Sequence, residues 1–238
     1  MVERCAPRAG RARPGPGGRS RGHLDGHDAR RTLRRAHQLP RPSERRPDAR
    51  SRGELVANFL AAEDASIPAY LDQLKARNGV YNGYNLLTAT RDELWWTSNR
   101  AEAPRQLAPG VYGLSNALLD TPWFKVRHRV AAFAEALAAD TGRHGNAIDV
   151  ARYLDLLAET REAPLGALPA TGVAPEWEKL LSAAFIRSPR YGTRASTVLR
   201  IRHDGCFDVT ERRFDAQGQI GETRYLGVLD AVTQADTP

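Results

Sequence analysis

Apolar periodicity begins abruptly near Ser51, and that break decides what the chain can fold into. Residues 1 to 50 hold 14 Arg, no Lys and 5 acids, a net of +9, and contain no Phe, Trp or Tyr. The other 188 residues carry 21 basic and 23 acidic side chains, a net of −2, so the overall +7 belongs to the leader alone. A stretch rich in Arg, Pro and Gly without apolar repeats cannot bury enough surface to offset the entropy of ordering it, and the expectation for residues 1–48 is disorder. Nucleic-acid binding is not expected either, because single-strand binders add stacking aromatics to a positive groove and the body is slightly acidic. No apolar run reaches the length of a membrane span, and no apolar segment follows the first basic residues as in a secretory signal. A cytoplasmic protein with no integral membrane segment is expected. Its two cysteines, Cys5 and Cys206, form no C-x-x-C pair, so neither a disulfide scaffold nor a metal centre is expected, and no cofactor is called for.

After the break the elements are readable. Ser51-Arg52-Gly53-Glu54 has capping-box spacing and predicts a helix over 52–62, with Leu55, Val56, Phe59 and Leu60 as its buried stripe. Ser66 caps a second helix ended by Asn78-Gly79. Tyr84 to Ala89 and Leu94 to Ser98 read as a hairpin around Thr90 to Glu93, and Val111 to Ser115 as a third strand. Trp123, Val126, Val130, Phe133 and Leu137 recur at three- and four-residue steps, predicting a long amphipathic helix over 123–139. Ile148 to Leu157 repeats that pattern, and Glu176 to Phe185 suits a shorter helix. Thr197 to Arg202, Cys206 to Phe214 and Glu222 to Val228 form a meander turned at Asp204-Gly205 and near Gln217-Gly218. Helices grouped between antiparallel strands give an α+β class. The expected divisions are a leader over 1–48, a domain over 49–230 and a tail over 231–238.

Three residues stand out as chemical candidates. Asn116 follows a strand-like run and precedes a helix, where its amide could donate to a developing oxyanion or could cap the turn leading to Pro122. Arg194 opens a C-terminal strand, as a clamp for a carboxylate or acyl carbonyl or as a solvated strand end. Asn82-Gly83 is a turn signal in itself, which leaves Asn85 as a candidate for substrate binding. Cys206 reads as a small core residue, and His128, His144 and His203, without a second ligand at metal spacing, as surface residues. Trp95-Trp96 on a strand sends one ring to each face.

Four segments are too particular for generic packing: Ala49 to Leu55 (ARSRGEL), Tyr81 to Leu87 (YNGYNLL), Pro109 to Trp123 (PGVYGLSNALLDTPW) and Arg190 to Val198 (RYGTRASTV). In this order and spacing they resemble the NRDE family, also called the transport and Golgi organisation family. The resemblance implies a fold like that of N-terminal-nucleophile hydrolases, an αββα sandwich of antiparallel sheets. Its catalytic Cys would follow the initiator Met, with the chain's own α-amino group as base. Leu114-Ser115-Asn116 with Asp120-Thr121-Pro122-Trp123 also resembles the Asn-containing segment of choloylglycine-hydrolase-like enzymes. Here Met1 is followed by Val2 and no Asn-Arg-Asp-Glu occurs, so the first strands and the nucleophile of such a fold are expected to be missing.

The leader itself carries a further clue. Where family members read roughly Gly-x-Thr-Trp-(Leu or Met)-Gly and then Ala-Leu-Thr-Asn, this chain reads GGRSRGHLDGHDARRTLRRAHQLPRP. With the G- and C-rich codons that 32 Arg against 3 Lys suggest, a one-nucleotide offset permits GRGATWMGMTRGGRFAALTNFRDP, and the same offset permits WWSDAP further upstream. The leader is therefore expected to be out of frame before about residue 46. Function follows the same split. The resemblance implies a relative of amide and acyl hydrolases that is inactive as written, or alternatively a haem or lipid/acyl-CoA carrier or chaperone, since animal members are associated with Golgi organisation, lipid metabolism and haem mobilisation. Either way the expected partner is a small-molecule ligand.

Overall fold

The computed structural model describes residues 33–38, 46–61 and 66–229. Among these described residues seven strands form two antiparallel sheets, one in the order β1-β2-β3-β4 and the other β5-β6-β7. The first holds β1 (Leu33–Gln38), β2 (Tyr84–Ala89), β3 (Leu94–Ser98) and β4 (Arg105–Gln106); the second holds β5 (Ala195–Ile201), β6 (Cys206–Phe214) and β7 (Gln219–Val228). The helices are α1 (Gly53–Ala61), α2 (Ile67–Lys75), α3 (Phe124–Ala138), α4 (Ala147–Leu157) and α5 (Pro175–Leu181). Helices with antiparallel sheets make this an α+β protein.

Each sheet has its own apolar cluster. On the first, Leu55 and Phe59 of α1 and Ile67, Tyr70, Leu71 and Leu74 of α2 pack on Tyr84 and Leu86 of β2, and Trp95 closes the edge of the cluster. Full burial of a side chain the size of Leu55 or Phe59 is worth about 1.5–3 kcal/mol. The Tyr70 hydroxyl donates to the Leu55 carbonyl at 2.6 Å and ties the two helices together. On the second sheet, Ala136 of α3 and Val150, Tyr153 and Leu154 of α4 gather around Val198 of β5. Cys206 is buried in β6.

Local signals explain most of the boundaries. The Ser66 hydroxyl accepts from Ala69 N–H at the start of α2, and Asn146 caps α4 through Ile148 N–H. The hairpin between β2 and β3 closes as Thr90 Oγ1 accepts from the amides of Asp92 and Glu93. The expected capping box at Ser51 forms only in part. The hydroxyl takes Gly53 N–H, while the Glu54 carboxylate pairs with Arg50 at 2.6 Å. Helix α2 ends at Lys75, and Asn78–Val80 forms a separate 3-10 turn beyond it.

Two sequence expectations need correction or restatement. Val111 to Ser115 is not a strand, and the fourth strand of the first sheet is instead the two-residue β4. The physical reason is Gly113: a Cβ there would lie 2.6 Å from both Val126 Cγ1 and Val130 Cγ2, so the segment is pressed against α3 rather than extended beside a strand. Within the stretch expected to lie outside the domain, the backbone of Leu33–Gln38 forms β1 and pairs with β2, Leu33 opposite Ala89 and Gln38 opposite Tyr84. The rest of the 1–45 expectation, and the tail from 230 onward, lie outside the described residues.

Candidate functional site

The motif around Asn116 folds into a closed loop between β4 and α3. Gly113 N–H donates to the Asp120 carboxylate at 2.7 Å and Asp120 N–H donates back to the Gly113 carbonyl at 2.8 Å. Asp120 sits at φ 57°, a left-handed conformation that a short polar side chain tolerates. Arg105 lies 3.6 Å from the same carboxylate. The Gly, Asp and Thr-Pro-Trp positions of the motif thus build the loop, and they hold Leu114, Ser115 and Asn116 on the wall of a cavity of about 490 Å³. Thr121 Oγ1 donates to the Leu118 carbonyl, and Trp123 occupies the residue before α3 directly behind it, without a capping side-chain bond.

Asn85 supports that loop from below. It is fully buried in β2, its amide donates to the Ala117 carbonyl at 2.8 Å, and its Oδ1 accepts from Trp96 Nε1 at 3.1 Å. Asn85 and Asn116 are therefore brought together, with Asn85 one backbone carbonyl away from the loop and Asn116 facing the cavity, where Ser115 Oγ donates to its Oδ1. Arg194 stands elsewhere. It is exposed, its carbonyl accepts from Phe214 N–H at 2.8 Å, and it lines neither of the cavities that Asn116 lines. Cys206 lines neither cavity as well. Asn82 acts on the backbone: its side chain exchanges two hydrogen bonds with Arg46.

Sequence reasoning missed Lys125 and Arg129, one helical turn apart on α3. Lys125 lines both the large cavity and a smaller neighbour shared with Asn116, Trp123 and Leu181. Its ammonium donates to the Leu181 carbonyl at 2.7 Å, and burial pushes its pKa down to about 8. Arg129 donates to the Leu156 carbonyl and meets Glu159 at 3.5 Å. One signal was available: Lys125 is one of only three lysines in a chain that otherwise uses Arg.

The apolar walls also depart from expectation. Val126 of the predicted α3 stripe is buried, but Phe133 and Leu137 are 41% and 49% exposed. They look into a groove between α3 and β5. A second cavity of about 470 Å³ shares Phe133, Tyr153, Val198 and Leu199 with the first, so the two are halves of that groove. The Phe133 and Tyr153 rings meet at its middle, 5.3 Å apart.

At the far end Arg200 organises a buried charge cluster. Its guanidinium donates twice to Asp208, at 3.0 and 2.8 Å, and also to both oxygens of Asp140. Asp149 lies 3.6 Å away and is bonded by Thr141. Burial acts to raise the Asp140 carboxyl, but hydrogen bonds from Gly142 N–H, the Tyr153 hydroxyl and Arg200 outweigh it and hold the group below the usual range. Burial, with the Asp140 carboxylate beside it, pushes the Tyr153 phenol well up. His144, read from the sequence as a surface residue, is half-buried and shares a hydrogen bond with the Phe207 carbonyl. Among the described residues no group of three or more His, Cys, Asp or Glu is placed to hold a metal ion. No helix among them is long and apolar enough to cross a membrane.

Comparison with known proteins fits the motif segments to one family. The family model described as Transport and Golgi organisation 2 matches residues 33–216. A Bos taurus protein named Transport and Golgi organization protein 2 homolog is 41% identical over 175 residues, and the Homo sapiens protein of that name is 38% identical over 174. In both cases the match covers 69% of this chain and 62% of the relative, so the chain spans less than two thirds of the curated relatives it matches. With the loop motif, the Asn85 support and strands β5 and β6 all inside the matched stretch, the chain belongs to the Transport and Golgi organisation 2 family.

Proposed function

We propose that this domain follows the N-terminal-nucleophile amide and acyl hydrolases in arrangement, and that the chain as written binds a small ligand in the cytoplasm without cleaving it. The observation that carries this reading is the loop of Asn116. It sits at the junction of two cavities, with Lys125 beside it and Asn85 fixing it from β2. An amide group held on a cavity wall can donate to an acyl or amide carbonyl. The described thiol, that of Cys206, is buried away from both cavities and cannot serve as its nucleophile. Helices α1 and α2 pack on one sheet, α3 and α4 on the other, as an αββα sandwich requires.

The alternative is a carrier or chaperone for haem or for lipid/acyl-CoA, favoured by the exposed Phe133 and Leu137 along the groove. Titrations with haem and with acyl-CoA, run beside an amide-hydrolysis screen, test both readings. Binding of at least one ligand with no hydrolysis is expected. Hydrolysis by the chain as written would overturn inactivity, and silence towards every ligand would overturn binding. The out-of-frame reading of the leader is tested by resequencing the gene across the codons for Arg41 to Asp48, where an intact single frame would refute it. If the frame is broken there, restoring it should yield thiol-dependent activity, and Asn116→Ala should then lower that activity about a hundredfold.

A further inference from the structure

We propose that the groove between α3 and β5 is a subsite for a single-headed anionic amphiphile, a monocarboxylate whose head is taken by Lys125 and whose tail runs over Phe133 towards Leu137. This rests on the reading of the cavity as a ligand site and names the ligand class.

The head position follows from charge. Among the described residues Lys125 has no carboxylate partner; its ammonium donates to a neutral carbonyl, that of Leu181. The charged groups around it are otherwise engaged. Arg129 on the same helix is met by Glu159. Glu178 of α5, in the smaller cavity, accepts from the amide and hydroxyl of Thr171. The first turn of α3 contains no acid and Trp123 gives it no side-chain cap, so nothing local offsets the positive end of the helix. A cation taken out of water costs free energy unless it is paired, and a bound carboxylate would pair it. The low pKa of the Lys125 amine agrees with a partner that is missing until ligand arrives.

The tail position follows from the walls. From Lys125 the cavity runs along Val126, Val130 and Phe133, with Leu199 of β5 opposite. Beyond Phe133 it continues past Leu137 in the second half of the groove. Polar Asn116 and Arg129 share the first half with these apolar walls, and the charged cluster of Arg200, Asp140 and Asp208 bounds the far half, so the apolar run ends near Leu137. A pocket of this size, largely apolar with a few placed polar groups, is the usual form of a small-molecule site.

Calorimetric titration with octanoate, dodecanoate and octan-1-ol tests the proposal. Octanoate should bind about ten- to a hundredfold more tightly than the alcohol at pH 7, the worth of a hydrogen bond to a charged group. Lys125→Met should erase that difference while leaving alcohol binding in place, and Lys125→Arg should retain it. Affinity for octanoate should fall as pH rises through about 8, where the free ammonium loses its proton. Each methylene added up to dodecanoate should tighten binding about fourfold. Equal binding of acid and alcohol, or no effect of tail length, would overturn the proposal. Binding of haem or acyl-CoA without binding of octanoate would overturn it too, while leaving the proposed function standing. Failure of every ligand would overturn both.

Discussion

Replacing Arg200 by Met should produce a stability loss whose size depends on pH in a way that ordinary core damage would not. The Arg200 side chain is 13% exposed, and its carboxylate partners Asp140, Asp149 and Asp208 are 11%, 1% and 2% exposed. Methionine matches the length of the stem but leaves three carboxylates facing one another. Among the described residues the remaining cation is Arg152, 3.3 Å from Asp149 and itself 38% exposed. Breaking a buried pair by removing one partner costs about 3–5 kcal/mol. A domain of ordinary stability has about 5–15 kcal/mol in all, so the variant should fold but sit near its limit. Arg200→Lys keeps the charge without the planar fork that grips Asp208 twice, and should fall between the two. In the wild type, the Asp140 carboxyl is held below its unfolded value of 3.8. Its contribution is therefore fully present above about pH 4 and is lost as pH falls through the lower folded value. In Arg200→Met the repulsion should instead ease when a carboxylate takes a proton. The gap between the two proteins should be widest at pH 7 and should narrow towards pH 4. Urea unfolding at both pH values reads this directly. A gap under about 1 kcal/mol at pH 7, or one that does not narrow, would refute the reasoning.

Two further substitutions probe the loop that carries Asn116. Gly113→Ala places a methyl 2.6 Å from two valine methyls of α3; overpacking of this kind should cost about 1–3 kcal/mol and lower the thermal midpoint, and an unchanged melting curve would contradict the packing account. Asn85→Ala leaves the Trp96 indole N–H and the Ala117 carbonyl without their partner, at a cost of about 1–3 kcal/mol, and should shift the tryptophan emission maximum, whereas unaltered emission and stability would show that Asn85 does not hold the loop.

What the sequence made legible was what neighbours along the chain decide. The alternation and turn chemistry around Thr90 to Glu93 and Asp204-Gly205 placed Tyr84–Ala89, Leu94–Ser98 and Cys206–Phe214 at their observed bounds. The three- and four-residue steps of α3 and α4 did nearly as well. Long-range features were illegible for definite reasons. Val111 to Ser115 carries strand-forming residues, but the contact of Gly113 with α3, thirteen and seventeen residues away at Val126 and Val130, overrides their propensity. Strand β1 is paired through its backbone, and main-chain hydrogen bonds leave no trace in side-chain patterning. Arg200 read as one of an alternating series, since its partners are distant in sequence, Asp140 before α4 and Asp149 within it. For the candidate site, the motif singled out Asn116, which lines the cavity, and Asn85, which bonds the loop backbone at Ala117 instead of lining it; Lys125 carries no local pattern that separates a cavity-lining amine from a solvated one.

The position of β2 sets a timescale for the molecule. It is paired on both edges, to β1 and β3, and Tyr84, Asn85 and Leu86 are wholly buried, so its amides should exchange with solvent deuterium only when the first sheet opens as a unit. Among the described residues strand β7 pairs with β6 on one side alone, and none of its own residues is buried, so its outward amides should exchange early. The Ala117 carbonyl is bonded to a side chain of the slow strand. The loop of Asn116 is thereby anchored to the part of the chain that opens least often, and its shape should persist while the edges of the protein fray and re-form around it.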